Sequence, residues 1–233
     1  MKSRVLGYIA AGLGAITIST RGADIMNRIY VIGDIGPNFV QKLGFDRVAG
    51  TSTAGFSTDV NIGVRGTVGV GYQFMPALAA ELEGGVSYNE TKTSSGIIGG
   101  VSQSGSTRLW VVPVTAGVTW RPRLAPTTPS DKDVEISYGQ KIFQKARPYI
   151  GGGIGAGEVF ADINLPIVAA NSGSGRDTVL SYYAKAGVSV PLSDRIEVGF
   201  QYRFHGYSGF TIKDTQSQDI FAHAISATLR INF

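Results

Sequence analysis

The chain contains no cysteine, which excludes a disulfide framework and any thiolate-held metal site. It is also short of charge. Asp, Glu, Lys and Arg make up 16% of its 233 residues, whereas a water-facing surface carries roughly 25–35%. The net charge of +4 is scattered along the chain and never gathers into a basic run, which argues against nucleic-acid binding. Beyond the N-terminus no stretch approaches about 18 apolar residues, so no helix is expected to cross a membrane.

The N-terminus has its own pattern. Lys2 and Arg4 precede an apolar stretch from Val5 to Ile18, and small residues follow up to Ala23. This predicts a secretory signal over about 1–23 and one domain over 24–233. Arg21 is poorly placed for cleavage after Ala23, so cleavage after Ser19 is the alternative.

What is abundant is glycine, 32 residues, together with period-two alternation. Ile196, Val198, Phe200, Tyr202 and Phe204 alternate with Glu197, Gly199, Gln201 and Arg203. The segments ending at Phe74, Tyr88, Trp120, Val190 and Phe233 alternate likewise, with weaker versions near 28–40 and 147–160. Successive strand side chains point to opposite faces, so each segment reads as a strand with one apolar face. About eight strands result. Short turns follow Met75-Pro76 and Pro191. Longer polar stretches near 41–59, 90–106, 161–177 and 208–219 read as loops at the other end. The proline-rich 122–146 connection reads as a flexible insertion, with a short extra hairpin around 134–142.

Alternation alone fits a soluble barrel too. However, the second face here is mostly Gly, Ser, Thr, Ala and Asn, which suits the narrow interior of an eight-stranded barrel. Trp110 and Trp120 share a face ten residues apart. At about 3.3 Å per residue and a tilt near 40°, they are separated by about 25 Å, the height of a lipid-facing band. Tyr88, Trp110, Phe160, Tyr182, Phe204 and Phe221 are expected in an outer aromatic girdle. Tyr72, Phe74, Trp120 and Phe233 are expected in an inner one. The fold class is therefore all-β, an eight-stranded antiparallel up-and-down transmembrane barrel.

The chain stops in strand pattern at Leu229-Arg230-Ile231-Asn232-Phe233. This end resembles the β-signal of outer-membrane proteins, with Leu229, Ile231 and Phe233 as its apolar positions. Together with Gly69-Val70-Gly71-Tyr72-Gln73-Phe74, Arg147-Pro148-Tyr149-Ile150-Gly151-Gly152-Gly153 and Gly199-Phe200-Gln201-Tyr202-Arg203-Phe204, the pattern over 28–233 resembles the opacity/small-β-barrel family, relatives of the OmpA transmembrane domain and OmpX. The resemblance implies a Gram-negative outer-membrane location, with outer-membrane lipid, lipopolysaccharide and the barrel-assembly machinery as partners. The long 122–146 connection departs from it.

Arg65, Glu81, Glu83, Lys185, Arg195, Glu197, Arg203 and Arg230 fall on the small-residue face. Charges in a narrow lumen must pair or suffer desolvation. Glu81, Glu83 and Glu197 are expected to pair with some of Lys185, Arg195 and Arg230 and plug the lumen. A charged eyelet in a narrow porin-like channel is the alternative. No catalytic, cofactor or metal residue is predicted. Gly151 to Ala156 matches a dinucleotide fingerprint, but no helical pattern follows to hold a pyrophosphate. His205 and Ser208 resemble the His/Ser pair of lipid A deacylases, but the spacing differs and His205 falls on the lumen face. Hence the expected role is structural or surface-interactive, through loops that touch a surface or host ligand, rather than enzymatic.

Overall fold

A computed structural model describes residues 28–48, 51–98, 101–122, 145–164, 173–212 and 215–233. The expected signal segment and nearly all of the 122–146 connection, including the hairpin expected within it, lie outside them. The strands are β1 (Ile29–Val40), β2 (Leu43–Val48), β3 (Thr51–Val60), β4 (Gly63–Met75), β5 (Leu78–Ile98), β6 (Val101–Trp120), β7 (Arg147–Asn164), β8 (Gly173–Pro191), β9 (Ile196–Tyr207), β10 (Thr211–Ile212), β11 (Thr215–Ser217) and β12 (Ile220–Asn232).

Eight of them close a ring. The order is β1-β4-β5-β6-β7-β8-β9-β12, and β12 returns to β1 with Val31 opposite Ile231 and Ile35 opposite Ala227. All these pairings are antiparallel. Closure removes the unpaired edges that an open sheet would expose. At one end, β4 turns into β5 through Pro76 and Ala77, with the Gln73 amide donating to the Pro76 carbonyl at 2.8 Å. At the same end, Ser193 accepts from the backbone of Ile196 at 3.1 Å and tightens the β8–β9 turn.

At the opposite end the barrel wall continues past the ring. Strand β2 carries on the line of β1, and β3 that of β4, pairing with the upper part of β5. Strand β11 carries on the line of β12 and pairs with β2. The polar stretches read as loops near 41–59 and 208–219 therefore contain strands, and much of 90–106 is the upper part of β5 and β6. Their apolar residues, such as Leu43, Phe45 and Ile212, are few among Ser, Thr and Gly, so no sustained alternation marks them. Backbone pairing does not need such alternation, and Thr-rich sequence suits it.

The side-chain distribution inverts that of a soluble protein. Phe200 is 72% exposed, and Ile35, Val68, Leu82, Val114, Ile154, Leu180 and Ile225 are exposed around the waist. Meanwhile the Arg65, Lys185 and Arg203 side chains are 1% exposed. A continuous apolar belt of this extent does not occur on a protein bathed in water. It is the surface of a barrel that faces hydrocarbon.

Candidate functional site: a filled lumen and its outer cap

The lumen is filled in two storeys. The lower storey begins at the short β4–β5 and β8–β9 turns. Glu197 on β9 accepts from Ser189 at 2.9 Å, and from Arg121 and Arg147 at 3.1 Å each. Arg230 lies over the Tyr30 ring, 3.6 Å from its centroid, and donates to Asn232. Tyr30 in turn donates to Glu81 at 2.5 Å, as does Thr119 from the neighbouring strand β6. The Tyr30 ring fits because β4 carries Gly71 there. A Cβ at that position would come within 2.1 Å of Cζ.

Above this, Lys185 bridges two carboxylates, 2.5 Å from Glu81 and 2.6 Å from Glu83. Arg203 donates to Glu83, reaches Asp34 at 3.3 Å and lies 4.0 Å over the Tyr183 ring. Arg65 is 3.7 Å from Asp34. Cations and carboxylates alternate through this stack. Each carboxylate accepts from more than one donor, the condition under which buried charge becomes tolerable.

The upper storey is apolar. Leu43, Phe45, Leu109, Val111, Val159, Ala161, Val179, Tyr207, Phe210, Ile212 and Ile220 form one buried cluster. Phe45 from β2 and Phe210, just before β10, meet edge to face at 6.5 Å. The extra strands thus place a hydrophobic cap across the outer mouth. Between the storeys, His205 is stacked between Tyr183 and Tyr207 and is 2% exposed.

Of the charged residues expected in the lumen, Arg65, Glu81, Glu83, Lys185, Glu197, Arg203 and Arg230 are buried there. Arg195 requires correction. It lies exposed in the β8–β9 turn, one residue before β9 begins, where strand alternation no longer sets its direction. The Glu197 partners are instead Arg121 and Arg147. These flank the 122–146 connection, Arg147 at the start of the expected fifth strand, and neither is among the lumen charges expected from the sequence. Asp34 was missed because alternation is weak in β1. The cap did leave a trace in the sequence. Leu109-Trp110-Val111-Val112 and Val159-Phe160-Ala161 are apolar on both faces, the mark of a strand buried on one side and lipid-facing on the other.

On the outside, Tyr88 and Trp110 touch with centroids 4.3 Å apart, and Phe204 stacks on Phe221 at 5.9 Å. Trp110 pairs across to Phe160. Tyr72, Phe74, Trp120 and Phe233 are exposed toward the opposite end. The hydrolase constellation is not assembled. His205 meets Tyr207 at 3.3 Å, and the Ser208 hydroxyl accepts from the Leu180 backbone at 3.0 Å. Gly151 to Ala156 lie within β7, not before a helix. Among the described residues no group of His, Asp and Glu could hold a metal ion.

Residues 8–233 match the family described as outer membrane protein beta-barrel domain. The chain belongs to that family. As an outer-membrane β-barrel protein it is placed in the cell outer membrane, within a lipid and lipopolysaccharide environment. Among solved structures it is similar to Neisserial surface protein A, with 14% identity, a TM-score of 0.50, and coverage of 88% of this chain and 97% of that one. It is also similar to the outer membrane protease OmpT of Escherichia coli, with 7% identity, a TM-score of 0.50, and coverage of 89% and 97%. OprG of Pseudomonas aeruginosa follows at 11% identity, a TM-score of 0.48, and coverage of 89% and 98%. At these identities the likeness is one of fold. Nothing among curated proteins matches the chain.

Proposed function

We propose that this outer-membrane barrel is a closed scaffold with a structural or surface-interaction role: envelope integrity, adhesion or host contact. The observation that supports it is the double filling of the lumen, with an ion-pair stack below and the Phe45–Phe210 cap above. The outward extension formed by β2, β3, β10 and β11 would present the binding surface on a rigid base. A surface role agrees with the name of Neisserial surface protein A, which shares the fold. Leu229, Ile231 and Phe233 would serve the barrel-assembly machinery as the recognition end. A lipid-modifying activity would need a His–Ser pair at the outer rim, and His205 and His223 have tyrosine partners instead.

A narrow channel for small polar solutes is the second reading. It is favoured by the polar atoms without a partner in mid-lumen, at Ser181, Ser226 and His205, where water would sit. Single-channel recording in a planar bilayer decides between them. A closed scaffold gives no discrete conductance. Steady openings that shift in size with Glu83→Gln would make the protein a pore.

A further inference from the structure

The lipid-facing surface carries an unusual group at the outer end of β9 and β12. His223 faces outward, and its ring is held on both sides. The Tyr202 hydroxyl is 2.6 Å from Nδ1, and the Gln41 amide nitrogen is 2.9 Å from Nε2. An ionisable side chain on a hydrocarbon-facing wall is costly and marks function more often than structure. Gln41 and Tyr202 occupy the two ring nitrogens, so His223 links an amide and a phenol into one polar chain. The Tyr202 hydroxyl keeps further hydrogen-bonding capacity toward a group outside the protein, and Tyr202 is 47% exposed.

The polar chain is framed by aromatic rings. Phe39, His223 and Phe204 share one row across β1, β12 and β9. The Phe204 ring is 5.4 Å from His223 and stacks on Phe221. Tyr182 extends the surface, tilted against Phe204 at 6.4 Å. Its ring lies over Gly206, where a Cβ would come within 2.2 Å, so the absence of a side chain there holds the ring flat on the wall. Gln41 is tied to β12 by a backbone hydrogen bond to Phe221 at 2.8 Å, and the exposed Lys42 follows it at the rim.

We infer that this patch is a lateral binding site for the phosphorylated amino-sugar headgroup of an outer-leaflet glycolipid. Flat aromatic faces suit the C–H faces of a sugar ring. The Tyr202 hydroxyl and the Gln41 amide oxygen suit its hydroxyl and amide groups, and Lys42 supplies a cation for the phosphate. The site lies on the belt where such headgroups meet hydrocarbon, so the ligand arrives by lateral diffusion. The inference is independent of whether the lumen conducts.

The test uses the full chain refolded into phospholipid nanodiscs, titrated with diphosphoryl lipid A, its dephosphorylated form, or a plain phospholipid. Bound lipid is read by native mass spectrometry, and folding is monitored by heat-modifiable gel migration. The wild type is expected to retain lipid A over phospholipid. His223→Phe keeps the ring and removes the polar chain, so its retention should fall about tenfold. Tyr202→Phe removes a single hydroxyl and repeats the test with minimal disturbance to folding. Lys42→Gln is expected to weaken lipid A but not the dephosphorylated form. Equal retention by the wild type, Tyr202→Phe and His223→Phe overturns the site. So does a wild-type dimer, in lipid A-free discs, that cross-links through this patch.

Discussion

At the scale of single residues, Lys185 is the pivot of the lumen, since it holds Glu81 and Glu83 apart from each other's repulsion. Lys185→Met keeps the volume and leaves two buried carboxylates without their shared cation. Urea unfolding from vesicles is expected to show a loss of about 3–5 kcal/mol, the usual consequence of stripping one partner from a buried ionic group. Arg195→Gln is expected to stay within about 0.5 kcal/mol of the parent, as a solvent-exposed turn substitution should. A loss at Arg195 comparable to that at Lys185 would contradict the placement of the charge stack. The same pair of residues shows what alternation can convey. It identifies Lys185 as lumenal because residues on both sides of it keep the strand period. At Arg195 the strand has ended, and parity carries no information.

At the scale of elements, the eight staves were readable because each has one face in hydrocarbon, and that contrast survives in the sequence. The outer additions β2, β3, β10 and β11 were not. They stand beyond the lipid, where the outward face is polar and the inward apolar residues, Leu43, Phe45 and Ile212, are too few to set a period among the Ser and Thr around them. Their importance rests on a few anchors. Phe210 is fully buried against Phe45, and Phe210→Ala is expected to cost about 3–5 kcal/mol as a large-to-small change in a packed cluster. Because the cluster joins the cap to the barrel, limited proteolysis in the 208–219 segment should accelerate while the transmembrane staves stay protected. Uniform loss of protection through β6 to β8 would show instead that cap and barrel unfold as one unit. The ion-pair partners at the lower mouth went unexpected although their parity fits: Arg121 follows the lumenal Thr119 and Arg147 precedes the lumenal Tyr149, but both border a proline-rich connection where the strand pattern gives out.

At the scale of the whole molecule, depth in the bilayer should govern the cost of a charge on the outer wall. Phe200 lies on β9 between the Phe204 girdle and the turn preceding Ile196, and is 72% exposed. Ile62, equally exposed at 68%, lies at the outer link between β3 and β4. Phe200→Arg is expected to destabilise the protein by about 2–4 kcal/mol and Ile62→Arg by about 1 kcal/mol or less. The comparison is to be made by folding titrations into bilayers of defined thickness. Equal costs would mean that the lipid boundary is not where the aromatic rings place it.

The seam between β1 and β12 has a consequence for gene order. The Phe233 backbone nitrogen donates to the Ile29 carbonyl at 3.2 Å, so the two ends of the described ring are neighbours. A circularly permuted gene could therefore join 233 to 29 through a short linker and open new termini at the tight turn between Met75 and Leu78. Every rung of the ladder between the staves would be retained. Whether such a rearranged chain still folds in a bilayer would test whether the closed ring alone suffices, whatever the order in which its staves are joined.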